Sequence, residues 1–157
     1  MTALKTLLWS VCVPGTLTIL APYMLLSSRL ELFPMRPSSF RFIGLIPVAL
    51  GALLYLWCAS DFTFIGKGTP APFDPPRALV VRGLYRYVRN PMYIAALLVL
   101  TGETILFESA MVLIYAAIVF SVFHLWIIFY EEPTLRRKFG DSYRKYCLKV
   151  RRWIPGA

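Results

Sequence analysis

Apolar residues gather into four long stretches along this chain, with polar and turn-forming residues between them. Leu7–Ser27 runs 21 residues without a charged side chain. As a helix it would reach about 31 Å, close to the roughly 30 Å of a bilayer's hydrocarbon core. Pro14 and Pro22 lie inside it and predict kinks. Phe40–Ser60 predicts a second span, with Pro47 inside. Met92–Phe107 predicts a shorter third, opened by Pro91 in its first turn. Ala110–Tyr130 predicts the fourth. Only Glu108 and Ser109 separate the last two, which makes them a tight helical hairpin.

The segments outside these stretches differ in kind. Residues 61–90 contain "GKGTPAPFDPPRALVVRG", too dense in glycine and proline for a regular helix, and predict a long loop. Leu79, Val80, Val81, Leu84, Tyr85 and Tyr87 give it more apolar content than a disordered linker carries. After the fourth stretch, Pro133 suits the start of a new helix. Leu135, Phe139, Tyr143, Tyr146 and Val150 then recur at helical spacing with basic residues opposite, and Gly140-Asp141 marks a break. Such a helix either lies on a lipid surface or packs onto the 61–90 loop.

Composition sharpens this pattern into a class. Hydrophobic residues make up 58% of the chain, and the mean hydropathy is +0.63. Both exceed what an ordinary soluble domain shows. The expected fold is all-α: one integral-membrane helical bundle over residues 1–157, with four transmembrane helices and a C-terminal cytoplasmic amphipathic helix. The first stretch lacks an A-x-A site and reads as a span, not a cleaved signal. The net charge of +9 is unevenly placed. Four spans put the N-terminus, the 61–90 loop and the 131–157 tail on one side, and that side holds fourteen of the 17 lysines and arginines. Only Arg29, Arg36 and Arg41 fall opposite, so both termini are expected in the cytoplasm. The basic residues flank apolar runs, where anionic lipid headgroups explain them, and no nucleic-acid-binding motif occurs. Cys12, Cys58 and Cys147 are odd in number and form no C-x-x-C, so neither a disulfide framework nor a metal site is predicted.

Candidate chemistry sits where the hairpin returns to the cytoplasmic side. Arg82, Arg86 and Arg89 precede the third span, and Glu131 and Glu132 follow the fourth. Folding the hairpin brings these charges together. They would either pair with one another as an anchor or hold a zwitterion, with a carboxylate on arginine and an ammonium on glutamate. Tyr85, Tyr87, Tyr93 and Tyr130 would add aromatic faces for a second cation. Glu103 and His124 are ionisable groups inside spans, and His124 lies seven residues before Glu131 on the same predicted face. A packing role for His124 stands beside a catalytic one.

"GLYRYVRNPMY" at 83–93, followed by a hairpin and then "EEPTLRRKFGDSYRKYCLKVRRWIP" at 131–155, resembles the integral-membrane methyltransferases, a superfamily of isoprenylcysteine carboxyl methyltransferases and phospholipid N-methyltransferases. The resemblance covers the C-terminal half and its "PAPFDPPRALVVRG" lead-in; the first two spans match by topology alone. It implies an S-adenosylmethionine (SAM) site on the cytoplasmic side, S-adenosylhomocysteine as product, and a lipophilic acceptor entering from the membrane lipids. The implied cofactor-binding residues are Leu84, Tyr85, Tyr87, Val88, Arg89, Asn90, Pro91, Tyr93, Glu131 and Glu132. Arg89, Glu132 and His124 are the candidate catalytic residues; a neutral amine acceptor would need a base such as His124 or a nearby carboxylate. The chain departs from relatives at Asn90 (often His), at Ala95 (often Gly) and in the tail, where Val150-Arg151-Arg152-Trp153 replaces Val-Pro-Arg-Trp. Of a glycine pair tied to the cofactor in the phospholipid branch, only Gly51 has a rough counterpart.

The expected function is methyl transfer from SAM to a lipid or lipophilic acceptor. Its alternatives are a non-enzymatic membrane subunit or lipid-binding scaffold, and a membrane reductase of related fold. On this reading Glu132→Ala removes cofactor binding and leaves the fold intact.

Overall fold

The computed structural model describes residues 12–28, 39–64, 79 and 81–155. Residues 7–11 of the first predicted span and 65–78 of the predicted loop lie outside the described residues, as do Lys5, Arg29, Arg36, Lys67 and Arg77. The described chain is all-helical: α1 (Cys12–Ser27), α2 (Leu45–Phe64, led in by a 3-10 turn at Ser39–Gly44), α3 (Pro91–Phe107), α4 (Ala110–Trp126) and α5 (Glu132–Lys149). A π turn at Ile127–Glu131 joins α4 to α5 without a break, so the five segments form four rods.

Two of these rods, Ser39–Asp61 and Ala110–Lys149, contain windows long and apolar enough to cross a membrane, and α1 and α3 are shorter apolar helices. Only 17% of either window is buried inside the protein. Leu50, Leu53 and Leu56 of α2 and Leu113, Ile118, Val122 and Leu125 of α4 face outward. An aqueous core helix would bury such residues; a helix in lipid has no reason to.

The hairpin forms as its two-residue connection requires. Glu108 turns the chain in the left-handed region at φ 49°, and the Ser109 hydroxyl caps α4 by accepting from the Val112 N–H at 3.4 Å. The largest helix–helix interface is α2 against α3. Gly44 and Gly51 on one side, and Ala95 and Gly102 on the other, each recur after seven residues, so small residues meet along an antiparallel seam. A Cβ on Gly51 would stand 2.6 Å from the Ala95 carbonyl oxygen, and one on Gly102 would stand 2.5 Å from that of Gly44. Backbones approach this closely only where side chains are missing. Gly51, the rough counterpart of a cofactor glycine, is thus a packing residue here, and Ala95 lies directly across from it.

α1 contains a π turn at Thr16–Leu20, in which the Ala21 N–H reaches back to the Thr16 carbonyl. The next carbonyl, on Leu17, would need the N–H of Pro22, which proline lacks. Tyr115 of α4 supplies the missing donor: its hydroxyl bonds the Leu17 oxygen at 3.0 Å. Where no water reaches, this contact joins α1 to the bundle and satisfies the carbonyl.

Two differences from the expected elements concern the segments at the end of the bundle that carries the 61–90 loop. α2 continues to Phe64, four residues into the predicted loop, because "DFTF" carries no breaker. A short 3-10 turn, Gly83–Arg86, then precedes α3. The amphipathic face of α5 packs as its spacing predicts: Tyr143, Tyr146 and Val150 are buried together against Leu135, Phe139 and Cys147, and against Leu79 of the loop. Packing onto the loop, one of the two readings of this face, is therefore realised. Gly140 (φ 50°, ψ −125°) kinks α5 at the predicted break.

Candidate active site

Pro91 starts α3 with the preformed φ of a first helical position, and Asn90 before it sits in the non-helical conformation that a following proline favours. The chain therefore turns sharply at 87–90, and the Arg89 side chain is directed toward the end of α4. There Arg89 Nη1 donates to Glu132 Oε1 at 2.9 Å and to Cys147 Sγ at 3.2 Å. One turn into α3, the Tyr93 hydroxyl donates to Glu131 Oε2 at 2.8 Å. The hairpin thus brings the two ends together, as the sequence pattern predicts.

A third element completes the junction. Residues 150–155 run as a strap beside 88–90: Val88 and Arg151 form a parallel bridge, and the Arg89 N–H donates to the Arg151 carbonyl at 2.9 Å. The Asn90 amide donates to the Arg152 carbonyl at 3.1 Å. Arg152 grips Glu132 in a bidentate pair, Nε to Oε1 at 2.8 Å and Nη2 to Oε2 at 3.0 Å, and Trp153 Nε1 donates to His124 Nδ1 at 3.0 Å. His124 Nδ1 is thus the acceptor, and the rings of His124, Phe120 and Trp153 form a triangle, with centroids 5.9, 6.1 and 5.2 Å apart.

The two adjacent glutamates end in opposite surroundings. Glu132 is 5% exposed and faces three arginines: Arg89, Arg152 and, at 3.8 Å, Arg136. Burial alone would raise its pKa, but the hydrogen bonds from Arg152 and the charges of Arg89, Arg152 and Arg136 win and hold the carboxyl below its usual range. Glu131 has no cation beside it among the described residues. Burial pushes its carboxyl up, and the bond from Tyr93 offsets only part of that.

Tyr85 and Tyr93 are brought into the junction. Tyr85 is buried against Cys58 of α2, with Leu84 and Met92 around it, and its carbonyl accepts from the Tyr146 hydroxyl at 2.7 Å. Val88, Asn90 and Pro91 are buried at the turn. Tyr87 is 62% exposed, and Arg82, Arg86 and Tyr130 also point outward, so sequence proximity did not bring them in. Arg152, Trp153 and Cys147 were not among the expected site residues. The sequence signal for Arg152 and Trp153 was the tail Val150-Arg151-Arg152-Trp153, which departs from the Val-Pro-Arg-Trp of the resembled family at Arg151 alone; Cys147 had none.

A polar junction beneath a set of outward-facing apolar helices defines a membrane protein whose polar chemistry lies at one end of its hairpin. A model of the phospholipid methyltransferase family matches residues 40–142, and the chain belongs to that family, one of SAM-dependent membrane methyltransferases. It is distantly homologous, 25% identical over 118 residues, to a "Probable protein-S-isoprenylcysteine O-methyltransferase" of Oryza sativa subsp. indica, and equally to one of subsp. japonica. Those matches cover 73% of this chain and 60% of the rice proteins. An "Uncharacterized protein" of Haemophilus influenzae is 38% identical over 63 residues, 40% of this chain and all of that one. No solved structure matches.

Proposed function

We propose that this protein transfers a methyl group from SAM to a lipid or lipophilic acceptor at the cytoplasmic face of a membrane. The proposed topology is a single domain of four spans, about 7–27, 40–60, 92–107 and 110–130, with the 61–90 loop and both termini cytoplasmic. The observation that carries the reading is the convergence of Arg89 and Tyr93 with Glu131 and Glu132, from motifs about forty residues apart.

Two features of the junction fit the cofactor. Arg89 Nε is buried and has no hydrogen-bond partner, a donor suited to a carboxylate. Among the described residues Glu131 has no cation beside it, which suits it to an ammonium or a ribose hydroxyl. Tyr93 holds Glu131 in place, and Glu132 holds Arg89. On this reading the ammonium-or-ribose role considered for Glu132 falls to Glu131, while Glu132 is a positioning residue already satisfied by arginine. The departure at position 90 also has a role: Asn90 ties the turn to the strap through the Arg152 carbonyl. When bound, SAM supplies a methyl group on a sulfonium whose positive charge is lost on transfer. The protein's own part is to orient donor and acceptor in line, an effect that reaches about 7–11 kcal/mol in well-oriented systems.

Incubating the purified protein with methyl-labelled SAM and host lipid extract tests the reading and identifies the acceptor. Glu131→Gln is expected to lower S-adenosylhomocysteine affinity at least tenfold with little change in melting temperature. Absence of labelled product together with absence of a thermal shift by S-adenosylhomocysteine would overturn the proposal.

A further inference from the structure

Asp61 lies at the cytoplasmic end of α2, one helical turn beyond Cys58, and so on the face that meets the Gly83–Arg86 turn. Its Oδ2 is buried and has no hydrogen-bond partner, and no lysine or arginine among the described residues pairs with it. In a chain with 17 basic and 8 acidic residues this is unusual. Asp141 pairs with Arg144 and Glu132 with three arginines. On this side of the protein, Asp61 and Glu131 are the described carboxylates left without a cation.

The backbone is shaped around the Asp61 oxygen. Gly83 has φ +54°, which disfavours any side chain, and a Cβ there would stand 2.5 Å from Oδ2 and 3.4 Å from the Trp57 indole nitrogen. Asp61 and Trp57 therefore share the space that a side chain at 83 would take. Tyr85 links this corner to the junction: it packs on Cys58, and the Glu131 charge acts on its phenol. A half-buried carboxylate with one buried, unpartnered oxygen beside an exposed indole, and no cation among the described residues, has the chemistry of an ammonium site.

We propose that Asp61, flanked by Trp57 and Gly83, binds the ammonium group of a ligand, as a second carboxylate distinct from Glu131. Two molecules could bring that group: the amino-acid end of the methyl donor, or an amine-headgroup lipid acting as acceptor. The proposal rests on the methyl-transfer reading for its ligands but is tested apart from it.

The test compares wild type with Asp61→Asn in detergent, titrated with four probes. These are S-adenosylhomocysteine, its deaminated analogue, dihexanoyl phosphatidylethanolamine and dihexanoyl phosphatidylglycerol. A tenfold or greater loss for S-adenosylhomocysteine, with the deaminated analogue unchanged, supports the site and assigns it to the donor's ammonium. The same loss for the ethanolamine lipid alone, with the glycerol lipid unchanged, supports it and assigns it to the acceptor. Unchanged binding of both amine probes overturns the proposal. Failure of wild type to bind S-adenosylhomocysteine counts against methyl transfer, and the lipid pair then decides the Asp61 site alone. If Asp61→Asn does not fold, tryptophan emission of the unmutated protein replaces it. An amine-dependent shift that Trp57→Phe abolishes supports the site, and a shift that persists in Trp57→Phe, or no shift at all, overturns it.

Discussion

The α2–α3 seam and the junction between α3, α5 and the C-terminal strap hold the same hairpin by opposite means. The seam works by omission: Gly44, Gly51 and Gly102 let backbones touch, and its energy is dispersion between closely packed surfaces. The junction works by reach: long side chains from Arg89, Arg136 and Arg152 converge on one buried carboxylate. The seam is insensitive to pH and salt but intolerant of volume. The junction is tolerant of volume at its exposed edge but depends on a single charge. Lipid explains the division, because water-excluded helices cannot cheaply carry charge, whereas the polar end of the bundle can.

The largest expected effect tests the junction. Glu132→Ala leaves Arg89 and Arg152 facing each other without a counter-charge. In place of the intact fold expected from sequence, it should cost about 3–5 kcal/mol of stability, read as a lowered melting temperature in detergent. A variant that melts like wild type would remove the charge-centred account. Next comes the seam: Gly102→Val places methyl groups against the Gly44 carbonyl and Val48, and should cost about 1–3 kcal/mol. That loss should be the same at neutral pH and below the ordinary carboxylate range, whereas the loss from Glu132→Ala should shrink there as Glu132 protonates.

The pH dependence separates the two glutamates. Glu132 is held below the ordinary carboxylate range, so its stabilisation is full at neutral pH and fades as pH falls through its lowered pKa. Acid melting of wild type should therefore be steeper than that of Glu132→Gln. Glu131 is raised, so its charge opposes folding at neutral pH. Glu131→Gln should melt slightly higher than wild type at pH 7, and the difference should vanish as pH falls below the ordinary carboxylate range. The smallest effect is a control on the seam. Gly15 of α1 has nothing within 4 Å of where a Cβ would stand, so Gly15→Ala should stabilise by about 0.5–1 kcal/mol, the usual gain of alanine over glycine within a helix.

Much of this architecture was readable from residue order. The apolar runs, the two-residue hairpin at Glu108-Ser109 and the buried face of α5 each follow from periodicities and capping preferences that act within a few residues. Likewise, the meeting of "RYVRNPMY" with "EEP" follows from hairpin topology alone. What the order of residues left open was partner choice. Two adjacent glutamates look equivalent on paper, yet one is clamped by arginines 43 and 20 residues away and the other is held by a tyrosine. Gly51, only a rough counterpart of a cofactor glycine by sequence, stands where two helix backbones touch. Asp61 gave no signal until Gly83 came to rest against it. Helix formation and lipid solvation are sums over neighbouring residues, so a linear pattern carries them. Which carboxylate meets which cation depends on distances across the fold, and those exist only after α2, α3, α5 and the strap have packed.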